Sequence, residues 1–145
     1  MKKNKNRRIK QKSPVNISGG FVNDYILPVR PYIFVSLILA FVLRVVITMN
    51  SGAIVAMTKV GGYDWLIAIV VAGMYGFIKY KQKLTSVILH SIVMGLVFGV
   101  IVSIIDMLII RDLWAFSNII KKPLIISCIF GAVSSIGFVI RKNGN

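Results

Sequence analysis

The chain contains no glutamate, and its acidic residues number four against 18 Lys and Arg, a formal net charge of +14. Only 15% of its 145 residues are charged and 57% are apolar, where a soluble domain carries roughly 25% and about 45–50%. So few charges give too little polar surface to cover the core of a soluble globule, which excludes an ordinary cytosolic enzyme. The mean hydropathy of +0.81 excludes a disordered chain. The single cysteine, Cys128, cannot form a disulfide within the chain, so a disulfide-rich secreted domain is excluded as well. With one histidine, His90, beside that one cysteine, the ligand set of a structural zinc site is also missing. What remains is a small polytopic membrane protein.

What the chain does have is a basic start. Seven of the 18 cations (Lys2, Lys3, Lys5, Arg7, Arg8, Lys10 and Lys12) precede any acid. In a signal peptide the apolar core follows such a run almost at once. Here a long, mostly uncharged and turn-rich stretch intervenes, so an uncleaved start is expected. A nucleic-acid arm is one reading of such a run. A membrane chain needs an orientation signal in any case, so we read residues 1–31 as a basic cytoplasmic tail that meets anionic headgroups. Nucleic acid is not an expected partner.

A bilayer core of about 30 Å takes about 20 helical residues. Four windows qualify: 32–49, interrupted only by Arg44; 64–80, framed by Tyr63 and Tyr80; 84–110; and 123–140, opening on Pro123 at the first turn, where a missing N–H costs nothing. None of these runs alternates, which leaves strands without support. The fold class expected is therefore an all-α integral membrane protein, a four-helix transmembrane bundle. With the N-terminus inside, the inner segments carry thirteen cations and the outer ones four (Lys59, Arg111, Lys121, Lys122), so both termini, including the tail 141–145, are cytoplasmic. Trp65 and Trp114 then fall at the outer interface. Two stretches read as short interfacial segments, Gly20–Leu27 (with Phe21, Val22, Tyr25 and Ile26 on one face, stopped by Pro28) and Arg111–Lys122. Asn50-Ser51-Gly52 and Gly61-Gly62 mark turns in the first outer loop.

Lipid offers no hydrophobic drive for helix association, so small residues must let backbones approach. Each span has such a stripe at every fourth position: Ser91, Gly95, Gly99 and Ser103 in the third; Asp64, Ala68, Ala72 and Gly76 in the second; Ser127, Gly131 and Ser135 in the fourth. The first is looser, with Ser36, Ala40, Arg44 and Thr48.

A charge inside a span costs about 2.5–3.5 kcal/mol on insertion scales, which makes Arg44 the most informative residue. It lies about 18 Å along the helix from Tyr32 at ~1.5 Å per residue, near enough to the outer leaflet to snorkel. Asp106 and Asp64 share that leaflet, and Arg44 with Asp106 is the expected pair. Such a pair either locks helices together or serves as a gate, ion site or proton-coupled site. His90 sits near the inner end of the third span, as a satisfied hydrogen-bonding group or a proton relay. Its depth keeps it away from Cys128, so no nucleophile–base pair forms.

Catalysis finds no constellation. Asp64 and Asp106 lack the glycine-flanked context of intramembrane aspartyl proteases, and Arg44 supplies a counter-ion where that chemistry needs a shared proton. Gly61-Gly62 and Gly95/Gly99 lack the lysine and strand of a phosphate loop. No catalytic residue, cofactor or metal is expected. Four helices at this size recur in unrelated families, so architecture alone does not name a function. The leading expectation is a non-catalytic accessory or structural subunit of a membrane complex, with a protein partner or self-association. The alternative is a small homo-oligomeric transporter or channel using Arg44 and Asp106, and a third is a holin-like pore former. A prokaryotic plasma membrane is the expected location.

Overall fold

The computed structural model of the protein describes residues 20, 22–51, 53–110 and 116–144, with side chains described for 20, 22–50, 63–108 and 120–144. The described chain is helical nearly throughout and contains no strand. Four helices make up the body: α1 (Arg30–Ser51), α2 (Ala53–Ile78), α3 (Leu84–Ile110) and α4 (Phe116–Asn143). A π-helical turn (Val22–Ile26) and a 3-10 turn (Leu27–Val29) lead into α1. Three helical stretches, Val22–Asn50, Leu84–Leu108 and Ile120–Asn143, are long and apolar enough to cross a membrane. The apolar part of α2, Tyr63–Ile78, is shorter.

The helix bounds differ from the sequence reading at several places. α1 runs through Asn50 and Ser51, which were expected in a turn, and α4 runs on to Asn143, into the expected tail. Three further differences have a local reason. Pro28 does not stop the segment before α1. It occupies the start of the 3-10 turn, where no intrahelical N–H bond is needed, and the chain passes directly into α1. α2 begins at Ala53 instead of 64, so Gly61-Gly62 is helical and marks no turn. Each glycine there costs a helix about 1 kcal/mol, a cost that the apolar helical stretch Tyr63–Ile78 directly after them offsets. α4 begins at Phe116 instead of 123, so Pro123 lies inside the helix and 116–122 is its first part, not a separate interfacial segment. Pro123 has no N–H to offer the carbonyl four residues earlier, and the helix runs on through it. Gly52, Phe21, Trp114 and residues 1–19, on which other expectations rested, lie outside the described residues.

Around the bundle the order is α1, α2, α4, α3, with α4 packed most extensively, along α3 and α2. α1 leans on α2 and more lightly on α3. The chain runs alternately up and down, so α2 and α4 are parallel neighbours while α3 and α4 are antiparallel. Small residues set the α3–α4 distance: a Cβ on Gly95 would stand 2.6 Å from the Ser127 Cα, and one on Gly99 2.6 Å from the Pro123 Cα. Pro123 is thus accommodated because Gly99 faces it. On the α2–α4 side Gly76 lies against the Ser134 backbone and Gly137 against the Gly73 carbonyl.

Tyr75, Phe98, Phe130 and Met94 are the largest fully buried side chains, and Phe98 meets Phe130 with ring centroids 6.2 Å apart. The outside of the bundle is apolar too, with Phe34, Phe41, Met49, Leu108, Leu124, Ile125, Ile136 and Ile140 all exposed.

Candidate functional site: a four-charge network

One charged residue from each helix converges near the end of the bundle where α1 passes into α2. Arg44 reaches from α1 and Asp64 from α2; Asp106 comes from the last turns of α3 and Lys122 from the turn before Pro123 in α4. The Arg44 guanidinium forks onto Asp64, donating from Nη1 to Oδ1 at 3.0 Å and from Nη2 to Oδ2 at 3.1 Å. Nη2 also donates to Asp106 Oδ1 at 2.9 Å, and Nη1 to the Ala40 carbonyl of its own helix at 3.3 Å. Lys122 Nζ stands 2.6 Å from Asp64 Oδ2 and 2.6 Å from Asp106 Oδ2.

The result is a closed arrangement of two cations and two carboxylates, neutral as a whole, in which each cation touches both acids. All four carboxylate oxygens have a cationic partner. Arg suits the corner it holds, because a planar fork can satisfy one carboxylate bidentately and still reach a second. Burial is uneven: the Asp64 side chain is 1% exposed, Arg44 14%, Lys122 18% and Asp106 25%. Asp64 is therefore the hub, and Asp106 is the most exposed edge of the group.

The structure brings Arg44, Asp106 and Asp64 together and keeps His90 apart from them. His90 is on α3 near its start, 9% exposed, and its Nε2 lies 2.8 Å from the Asp24 carbonyl oxygen. A carbonyl only accepts, so Nε2 carries a proton in this contact. The Ser86 hydroxyl lies 3.4 Å from Nδ1, and the Tyr25 ring packs on the imidazole at 5.7 Å. His90 is thus a latch for the segment ahead of α1.

Lys122 has no role in the sequence reading, where Pro123 opens the helix and Lys122 ends the interfacial stretch 111–122. Charge balance carried the missing signal: Arg44 alone against Asp64 and Asp106 leaves one carboxylate without a counter-ion.

The small-residue stripes of α2, α3 and α4 lie inside the bundle, whereas the looser one of α1 does so only at Ser36 and Ala40, and Thr48 is exposed. Ser91, Gly95, Gly99 and Ser103 are buried on α3, Ala68, Ala72 and Gly76 on α2, and Ser127 and Gly131 on α4. Ser135 is half-buried and donates to the Gly131 carbonyl at 2.7 Å, as the unanticipated Ser134 does at 3.1 Å. Ser127 donates to the Leu124 carbonyl at 2.8 Å. Among the described residues three buried hydroxyls, Tyr75, Ser91 and Ser103, have no hydrogen-bond partner, and Ser103 sits one turn before Asp106. Such groups forfeit about 1–3 kcal/mol each when left unpaired.

Chemically the network can hold helices together and can exchange partners among its four members. It presents no nucleophile, and each carboxylate is engaged by both cations. Among the described residues no group of three or more His, Cys, Asp or Glu is placed to hold a metal ion. No known protein family, curated protein or solved structure matches the chain.

Proposed function

We propose that the chain is a four-span bundle of the plasma membrane with both termini in the cytoplasm, and that it serves as a non-catalytic structural or accessory subunit of a membrane complex. The observation that carries this reading is the neutral network of Arg44, Asp64, Asp106 and Lys122, to which every helix contributes one charge. A device that ties all four helices at one point favours a rigid scaffold over a moving machine. The apolar outer surface supports membrane placement, since soluble monomers rarely expose contiguous apolar patches of more than a few hundred Å². The α2 helix has the shortest apolar stretch, so its first turns, with Lys59, extend beyond the outer hydrocarbon boundary in this placement. The network then lies in the outer third of the membrane.

Cys128 provides a direct test of placement, being the single thiol and exposed on the outer face of α4. In intact membranes it resists a water-soluble maleimide, because hydrocarbon excludes both the reagent and the thiolate. It labels after denaturation in detergent. Full labelling in intact membranes removes the placement. The subunit role is tested by native mass spectrometry of the tagged protein extracted gently at its native expression level. A stoichiometric foreign partner supports it, and a bare monomer or a pure homo-oligomer counts against it.

The partial exposure of Asp106 favours a second reading, a homo-oligomeric transporter or channel in which this edge of the network faces a lumen. The double variant Arg44→Leu/Asp106→Leu separates the two in proteoliposomes. A folded double variant that has lost an ion flux shown by the wild type supports transport, and an unchanged flux removes the pair from any pathway.

A further inference from the structure

At the opposite end of the bundle α2 and α4 finish side by side. Gly73 and Gly137 face each other there so closely that a Cβ on Gly137 would stand 2.5 Å from the Gly73 carbonyl oxygen. With no side chains at the crossing, the flanking residues Met74, Phe77, Ile78 and Ile140 stand as walls around a slot of about 390 Å³ that opens outward. No polar side chain lines it. At its mouth the Arg141 guanidinium lies over the rings of Phe77, at 4.9 Å, and Tyr80, at 5.3 Å. Lys81 stands on the same Tyr80 ring at 5.8 Å, and Lys142 lies over Phe138 at 5.9 Å. No carboxylate among the described residues pairs with any of these cations, and Lys79 and Lys83 add to them in the α2–α3 connection.

We infer that this slot and its basic mouth form a site for one anionic phospholipid of the inner leaflet, with an acyl chain against the glycine floor and the phosphate on Arg141. The site rests on the membrane placement proposed above. Three features point to this occupant. The aromatic rings hold Arg141 at the end of the slot without using its donors, leaving a planar fork free for phosphate oxygens. The surrounding lysines match an anionic headgroup in sign, and basic pockets between helices on the cytoplasmic side are a recurrent way of holding such lipids. The slot is also too short for a helix: Gly73 to Ile78 covers about 7.5 Å of α2, against a helix breadth of about 10–12 Å with side chains.

The test titrates the full-length protein in neutral detergent with dioleoyl phosphatidylglycerol or dioleoyl phosphatidylcholine and reads bound lipid by native mass spectrometry. The site predicts one phosphatidylglycerol per chain, held at least about fivefold more tightly than phosphatidylcholine. Arg141→Gln weakens phosphatidylglycerol about fivefold and phosphatidylcholine less, because choline already offsets the charge of the same phosphodiester, so the preference between the two lipids shrinks. Ile140→Trp, filling the slot from an exposed wall, weakens both lipids. Equal affinity for the two lipids overturns the proposal, as does binding indifferent to both substitutions. A dimer that Ile140→Trp abolishes assigns the slot to a second copy and overturns it too. Carbonate extraction of the same membranes is run alongside. Protein that stays in the membrane yet shows no headgroup preference refutes the lipid site alone, whereas protein that washes off refutes the placement.

Discussion

Asp64 accepts from both cations of the network and is the least exposed of its four members, so its loss leaves Arg44 and Lys122 facing each other across one remaining acid. Removing one partner from a buried ionic group costs about 3–5 kcal/mol, because the charge left behind is uncompensated. Asp64→Leu is therefore expected to be the most destabilising single change in the group, with Arg44→Leu and Lys122→Leu behind it. Paired deletions obey a different rule. Arg44→Leu with Asp106→Leu leaves Lys122 and Asp64 at 2.6 Å as a neutral pair, and the loss should be well below the sum of the two single losses. Thermal unfolding of the singles and the double in one detergent checks this, and additive losses would mean the four charges do not act as a unit. Three of the four members of this network are legible in the sequence, and so is one of its pairs. An arginine and an aspartate at one depth predict a pair because a lone charge there is expensive. Which carboxylate takes the arginine's fork, and that a lysine closes the square, depended on rotation about helix axes and on the true start of α4, neither of which hydropathy encodes.

At the level of elements, helix–helix distance is set by a few glycines whose substitution effects should diverge. A Cβ at Gly95 meets Ser127 backbone at 2.6 Å, which cannot yield without moving α3 from α4, whereas a Cβ at Gly73 meets the Val133 Cγ1 at an ordinary 3.7 Å. Gly95→Ala should cost about 1–3 kcal/mol as overpacking. Gly73→Ala should be neutral or gain up to about 1 kcal/mol from helix propensity. Equal melting temperatures for the two variants would remove the close-packed seam from the account. His90 sets a second element-scale contrast. His90→Phe keeps ring packing on Tyr25 but loses the donor to the Asp24 carbonyl, so amide exchange in residues 22–29 should accelerate while α3 and α4 stay protected. The four-residue stripes were readable from sequence because a small residue every fourth position lies on one face of a helix. The starts of α2 and α4 were not. Gly-Gly and Pro are strong breakers in isolation, and here a long apolar helix on one side and the space at Gly99 on the other override them.

For the whole molecule, two uneven distributions have the same consequence. α1 is the least enclosed of the three long apolar stretches, with 17% of its span window buried against 44% for those of α3 and α4. It depends on the network and on α2 to stay in place. Cations are uneven as well: with the N-terminus inside, thirteen flank the inner ends and four the outer, and Lys122, one of those four, is neutralised within the network. Orientation should therefore rest on the tail, because Lys and Arg near the first spans dominate insertion. Replacing the seven cations of the run Lys2–Lys12 with Gln leaves six on the inner side, Arg30 among them, against four on the outer, a margin narrow enough to yield mixed orientations. A reporter active only in the cytoplasm, fused after residue 145, should glow in every wild-type cell and lose a substantial fraction of its signal in the neutralised variant at equal protein level. A wild-type fusion that is dark, with a periplasmic reporter active at the same position, would invert the bundle. It would put the Arg44 network in the inner leaflet and the Arg141 slot in the outer one, where anionic lipid is no longer the expected occupant.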